Sequence, residues 1–332
     1  MTRNCNIWYA VVNPNAGSGR TVSEWPKASK ILSDNRIDFE YRTTWRMSAA
    51  VEITMKACAE GYRKFLAVGG DGTVHEVLEG ISKYVEMSDV ARTLDTEVQA
   101  VSLGDFTLAV MPIGSGNDWI KTLGIPRDFN KVAEMMKEES LGHQDVFCLN
   151  LKDNSTSREI ISYMANVGGV GFDANVCKKV NFEKNTGKSG KILYLKALIS
   201  NILNFKTFDC AVEADGREIF RGRTMSIALG TGRYSGGGML QVPDAVPDDG
   251  LMDITIIPLM PLHRIIKAVP GLFTGKLLKN NPELISAKCS SLVITPLSSP
   301  YPLVEVDGEV VGNLPVRVCK LEGQIKVLRN LK

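Results

Sequence analysis

No run of roughly 18 or more apolar residues occurs in this chain; the best candidate, 251–273, is broken by Asp253, His263, Arg264, Lys267 and three prolines, which excludes a membrane-spanning helix. An excess of one charge is missing too. Lys and Arg number 39 against 37 Asp and Glu, and the net charge of +2 gives no overall attraction to nucleic acid, which is not an expected partner. The seven cysteines are scattered, odd in number and never spaced C-x-x-C, so neither a disulfide framework nor a zinc site is expected, and the usage fits a reducing compartment. The first residues lack the apolar core and small-residue cleavage site of a signal peptide, and a cytoplasmic location is expected.

What is present is enough material for two domains: 332 residues, 44% hydrophobic and 23% charged. Over the first 140 or so residues short apolar runs alternate with helical patterns: 7–12 then 22–33, 37–42 then 48–60, 65–68 then 74–84, 108–111 then 117–123. Repeated strand–helix units predict a doubly wound, mostly parallel α/β domain. The segment 87–105 has no clear period and reads as a loop or insertion. From about residue 142 the pattern turns to strand-like runs, at 146–151, 159–167, 208–214, 218–228, 252–258, 291–295, 303–306 and 316–320, with helices over 174–180 and 192–203. Asp215-Gly216 and Asp307-Gly308 are hairpin signals. The second domain is therefore expected to be a mostly antiparallel β domain with one or two helices, spanning 142–320.

Three strand-to-helix junctions carry the chemistry. Gly69-Gly70-Asp71-Gly72-Thr73 follows an apolar strand and opens a helix, where backbone N–H groups and the helix dipole suit phosphate. A carboxylate among those glycines would repel phosphate unless a cation lay between, so Asp71 is expected to organise Mg²⁺ or its water. Asn13-Pro14-Asn15-Ala16-Gly17-Ser18-Gly19 and Gly114-Ser115-Gly116-Asn117-Asp118 occupy equivalent junctions, and ligands of such sheets sit outside the carboxyl ends of the strands. Asp118 adds a second acid there, unless it only caps the next helix.

These loops, with Asn166-Val167-Gly168-Gly169-Val170-Gly171-Phe172-Asp173-Ala174, Pro243-Asp244-Ala245, Asp248-Asp249-Gly250-Leu251-Met252-Asp253 and Val306-Asp307-Gly308-Glu309, resemble the diacylglycerol kinase catalytic domain family of bacterial lipid kinases, related to sphingosine and ceramide kinases. The resemblance runs nearly end to end. It implies a doubly wound nucleotide domain like those of phosphofructokinases and NAD kinases over 1–141, completed by about 321–332, where a last strand near 324–328 returns to it, and a mostly antiparallel β-sandwich domain over 142–320 that holds the lipid side. It implies ATP contacts at Asn13, Thr44, Gly69, Gly70, Asp71, Gly72, Thr73, Val74, His75 and Ser115, His75 standing where the family more often has Asn. Asp71 and Asp118 become the Mg²⁺ network, and Asp307 or Glu309 the base that takes the acceptor proton, against the plainer alternative of a hairpin tip. A structural Mg²⁺ is implied at Asp249 with the carbonyls of Val246 and Leu251.

Two basic stretches, 178–196 and 258–280, mix lysines with Ile, Leu, Phe and Tyr, as an anionic bilayer surface would require, although solvated helix faces have the same composition. The expected activity is transfer of the γ-phosphate of ATP to a lipid hydroxyl, first of all that of diacylglycerol, by an enzyme peripherally associated with the inner membrane face. A sphingoid base, ceramide or monoacylglycerol as acceptor, an NAD kinase-like enzyme, and a binding protein without turnover are the alternatives. An exposed strand in the second domain leaves room for a homodimer.

Overall fold

The computed structural model describes residues 5–94, 101–152, 158–185 and 206–330. The chain divides into two compact units, residues 1–144 with 322–332, and residues 145–321.

The first unit begins β1 (Trp8–Val12), α1 (Thr21–Asp34), β2 (Phe39–Thr43), α2 (Ala49–Ala59), β3 (Lys64–Gly69), α3 (Asp71–Leu94) and β4 (Thr107–Pro112). α4 (Trp119–Leu123), α5 (Phe129–Lys137) and β5 (Leu141–Gln144) follow. β1 to β4 pair in parallel in the order β2-β1-β3-β4. β1 and β4 are buried along their whole length and β3 from Phe65 onward, as their unbroken apolar sequences require when helices cover both faces, whereas edge strand β2 (FEYRT) is mostly exposed. The sheet is completed from the far end of the chain: β18 (Ile325–Leu328) pairs parallel with β4 and antiparallel with β5.

The segment from 87 is helix as far as Leu94. Its apolar residues Met87, Val90 and Leu94 face solvent, so no buried stripe marks it in the sequence; Met87, Ala91, Arg92 and Leu94 favour helix by propensity. α5, with Asp128 accepting the N–H groups of Asn130 and Lys131, was likewise absent from the periodic reading.

The second unit comprises β6 (Phe147–Lys152), β7 (Glu159–Met164), β8 (Val167–Gly171), α6 (Phe172–Asn185), β9 (Phe208–Ala214) and β10 (Arg217–Gly230), then the short β11 (Tyr234–Ser235) and β12 (Met239–Leu240). β13 (Met252–Pro258), α7 (Leu262–Thr274), α8 (Leu277–Asn280), β14 (Ile285–Cys289), β15 (Ser291–Pro296), β16 (Leu303–Val306) and β17 (Glu309–Lys320) complete it. All its strand pairs are antiparallel in the path β14-β13-β10-β8-β16-β17-β15-β9, and β9 also pairs with β10, so the sheet curls back on itself around Phe147, Leu149, Ile227, Ile254, Leu292 and Val318. A doubly wound α/β unit and an antiparallel β unit are thus the observed fold classes. The expected helix over 192–203 lies outside the described residues.

Two strands differ from their expected bounds for visible reasons. The run 159–167 is two strands, because Ala165 and Asn166 turn out of the ladder to meet the Asp307 carboxylate. β17 starts at Glu309 rather than 316; Gly312, Asn313 and Pro315 resemble a turn in sequence but lie within the strand, whose pairing with β6 shifts register between Asn313 and Val316.

Candidate functional site

The three glycine loops of the first unit meet where its strands end. A Cβ on Gly114 would stand 2.4 Å from the Gly70 Cα, so only glycine at both positions lets the second and third loops touch backbone to backbone. Ile113 and Gly114 donate their N–H groups to Gly69 O (2.8 and 3.0 Å). Arg20, which the motif reading passed over although it follows Gly19 directly, ties the first loop in: Nε donates to Gly17 O (3.1 Å) and Nη2 to Ile113 O (3.0 Å). Asn13 Nδ2 donates to Thr73 Oγ1 (3.2 Å), joining the first loop to the second.

Both acids sit in this junction. Asp71 Oδ1 accepts the Trp119 N–H at the start of α4 (3.0 Å), and Asp118, 4% exposed, forms an ion pair with Lys121 one turn on. A Cβ on Gly116 would lie 3.1 Å from Asp71 Oδ2 and 3.7 Å from Asp118 Oδ2, which places the two carboxylates around one point of backbone. Asp118 makes no side-chain cap bond to its helix, so capping does not account for it. Two hard carboxylates beside a glycine cradle fit a Mg²⁺ that keeps its remaining ligands as water and phosphate.

The other candidate ATP contacts are placed as follows. Thr44, 7% exposed, donates its N–H to Val12 O at the end of β1. Thr73 and Val74 are buried and give their N–H groups to Gly70 O within the first turn of α3, whereas Gly72 and Ser115 are exposed. His75 is buried with Nε2 3.3 Å from Glu79 Oε2, so its side chain is engaged along its own helix.

In the second unit Asp307 and Gly308 carry positive φ of 50° and 91° at the β16–β17 turn, the signature of a tight hairpin. Asp307 is more than a hairpin tip: Oδ1 accepts the N–H groups of Asn166 (2.9 Å) and Val167 (3.1 Å), and Oδ2 that of Ala165 (3.0 Å). Glu309 is exposed and accepts Asn181 Nδ2 at 3.2 Å.

Two further acids stand behind this turn. Glu305 Oε2 accepts the Gly308 N–H (2.9 Å), and both Glu305 Oε1 and the Asp173 side chain press on the space above Gly169, where a Cβ would meet them at 3.0 and 2.7 Å. Burial pushes Glu305 well above the ordinary glutamate range, the Gly308 N–H opposing and the charges of Asp173, Asp307 and Glu309 adding to the rise. Burial likewise raises Asp173 to about 6, against hydrogen bonds from Ser226 Oγ and Gln241 Nε2. Glu305 precedes the Asp-Gly-Glu signature by two residues in a strand, where alternation would mark it as one more side chain of the sheet, and nothing in the sequence announces its burial.

A carboxyl whose folded pKa exceeds its unfolded one binds its proton more tightly in the native state, so its contribution to stability falls as pH climbs from about 4 to about 6. Asp173→Asn removes that penalty and can keep both hydrogen bonds. It is expected to stabilise the protein by about 1–3 kcal/mol at neutral pH and by nothing near pH 4. Urea unfolding at the two pH values checks this; an equal gain at both would show that proton linkage is not the cause.

The implied structural Mg²⁺ does not fit what surrounds Asp249. Lys288 Nζ lies 3.1 Å from Asp249 Oδ2, 3.1 Å from Asp253 Oδ2 and 3.4 Å from Asp244 O, while Asp249 Oδ1 accepts the Leu251 N–H and Val246 is exposed. An ammonium already neutralises these oxygens. A chelator is therefore expected to leave the melting temperature unchanged, whereas Lys288→Met, which strands the buried Asp253 carboxylate, is expected to lower it by several degrees, roughly 1–3 kcal/mol. A melting temperature that falls on chelation and recovers with Mg²⁺ would restore the metal.

Asp173 also lines an apolar cavity within the second unit. Met225, Met239 and Ile257 form its sheet side, Ile265, Val269 and Leu272 of α7 another wall, and Asp173 is its one charged lining residue.

Comparison with known proteins agrees with this architecture. Residues 8–149 match the family model of the diacylglycerol kinase catalytic domain, and residues 166–329 that of the YegS C-terminal NAD kinase beta sandwich-like domain. A protein of Klebsiella pneumoniae (strain 342) named probable lipid kinase YegS-like is 25% identical over 323 residues, covering 94% of this chain and 96% of the relative. Its namesake in Pseudomonas syringae pv. tomato is 25% identical over 293 residues, 87% of this chain and 83% of that protein. Among solved structures, a diacylglycerol kinase from Bacillus anthracis str. Sterne superposes with a TM-score of 0.69 at 20% identity, over 98% of this chain and 97% of the other. Yeast NADH kinase complexed with NADH gives 0.54 at 13% identity, over 99% and 84%. Two adjoining domain models in the order of the two folded units leave one assignment: the chain belongs to the diacylglycerol kinase catalytic domain family, in the form that carries the YegS-type β-sandwich domain.

Proposed function

We propose that the protein is an ATP- and Mg²⁺-dependent lipid kinase that transfers the γ-phosphate to a lipid hydroxyl, with diacylglycerol as the first acceptor to test and phosphatidic acid as its product. The observation that carries the lipid reading is the apolar cavity of the second unit, because glycine loops alone serve NAD kinases equally well. Its apolar walls match an acyl chain, whereas a dinucleotide would leave them unmatched.

Phosphoryl transfer asks the protein for positioning and for relief of charge. Gly69, Gly70, Gly72 and the backbone of the first α3 turn would cradle the phosphates, with Asn13 and Thr73 beside them. Asp71 and Asp118 would hold Mg²⁺, which supplies neutralisation of the triphosphate oxygens when bound. Asp307, fixed by three N–H donors, would accept the proton of the attacking lipid hydroxyl, in preference to the exposed Glu309. The site of action would be the inner face of the membrane, with the protein held there peripherally; among the described residues no helix is long and apolar enough to cross it.

The test is a transfer assay with labelled ATP and Mg²⁺ against diacylglycerol, sphingosine, ceramide and monoacylglycerol in mixed micelles, beside NAD. Label in phosphatidic acid is the expected result. Label in another phosphorylated lipid would move the acceptor within the class, and label in NADP alone would end the lipid reading.

A further inference from the structure

Helix α7 is apolar over more of its circumference than the cavity uses. At 3.6 residues per turn, Ile265, Ala268, Val269 and Leu272 form the stripe that lines the cavity, and Leu262, Ile266 and Phe273 form the stripe beside it. That second stripe is turned to solvent: Leu262, Ile266 and Phe273 are 44%, 53% and 47% exposed, and Leu259 just before the helix is 56% exposed. Four large apolar side chains within 15 residues of one folded element form a patch that isolated surface hydrophobics do not.

The charges around the patch say what would cover it. Residues 259–282 contain no Asp or Glu and hold Arg264, Lys267, Lys276 and Lys279. The three lysines are exposed, and the nearest acid along the chain, Glu283, is paired with Arg264 at 3.2 Å. A second copy of the chain laid on the same face would set these cations against their own kind. An anionic bilayer offers what both features need, apolar depth for the stripe and negative headgroups for the lysines on its flank.

We propose that Leu259 and the Leu262–Ile266–Phe273 stripe of α7, with Lys267, Lys276 and Lys279, form the surface by which the second unit docks on an anionic lipid bilayer. The helix that walls the cavity is then also the helix that enters the lipid, and a chain leaving the bilayer reaches the cavity along one element. The meaning of this arrangement rests on the lipid-kinase reading, but its test reads binding alone.

Flotation of the full chain with vesicles of phosphatidylcholine, alone or mixed with phosphatidylglycerol, measures it. Binding is expected only with the anionic mixture and is expected to weaken as salt rises. Ile266→Asp with Phe273→Asp, neither in the cavity wall, should lower vesicle affinity at least about tenfold, and Lys267→Glu with Lys276→Glu should abolish the preference for phosphatidylglycerol. Turnover of a short-chain lipid presented in detergent micelles should stay at the parental level in both variants, so a failure of docking and a failure of the kinase reading give different results. Parental vesicle binding by the Asp variant, or no binding by the parent, would overturn the proposal. So would a parental dimer that Ile266→Asp dissolves without any effect on vesicles, which would give the face to a second copy.

Discussion

Asp71→Asn is expected to lower kcat by about three orders of magnitude while leaving the melting temperature where it was, the scale of losing a charge-organising group in phosphoryl transfer. The substitution is chosen from the geometry. Asp71 Oδ1 accepts the Trp119 N–H at 3.0 Å, and an asparagine oxygen can keep that bond while the negative charge facing Gly116 is lost. Asp71→Ala removes the acceptor as well and leaves a helix-start N–H unmet, and a further loss of about 1 kcal/mol in stability should follow. Lys121 bears on the outcome too. Asp118 is already paired with its ammonium, which offsets part of the charge it could offer a cation, and Asp118→Asn should cost less than about three orders of magnitude in kcat. Steady-state kinetics at saturating ATP and Mg²⁺ decide the matter; near-parental turnover in Asp71→Asn would remove Asp71 from the metal network.

The junction of glycine loops was legible because its message is local. A strand, two glycines, an acid and a helix follow one another in sequence, and the Gly70–Gly114 contact only adds that two such junctions touch. The fold classes were legible for the same reason, since period 2 and period 3.6 are written along single elements. What could not be read is what depends on distant partners. Asp307 looks like a turn residue until Ala165, Asn166 and Val167 arrive from the β7–β8 turn. Glu305 and Asp173 lie 132 positions apart and meet only over Gly169. Lys288 sits in an ordinary amphipathic strand, and only the pairing of β13 with β14 brings it to Asp253. Helix α7 escaped because its apolar stripes are so broad, and Pro270 inside it so suggestive of a break, that it resembled an interrupted apolar run.

Asp307→Asn is expected to lower kcat by about 10²–10⁴-fold, the usual span for a missing general base, and Glu309→Gln by less than about tenfold. Both acids belong to one turn, yet their surroundings separate them. A base must be held within a fraction of an ångström of its proton donor, and a carboxylate gripped by three backbone N–H groups is held so, whereas Glu309 is exposed to solvent. The grip also means that the variant will not be silent in stability. Asparagine retains an oxygen toward Asn166 and Val167 but turns an amide toward the Ala165 N–H, donor against donor, at a cost of about 1–3 kcal/mol. Activity must therefore be read well below the variant's own melting temperature, with the pH profile beside it: loss of a base removes the acidic limb of the profile, while loose packing only scales it down. If Asp307→Asn turns over normally and Glu309→Gln does not, the base is Glu309. If both turn over normally, Asp307 is an anchor for the β7–β8 turn alone, and the acceptor's proton leaves by another route.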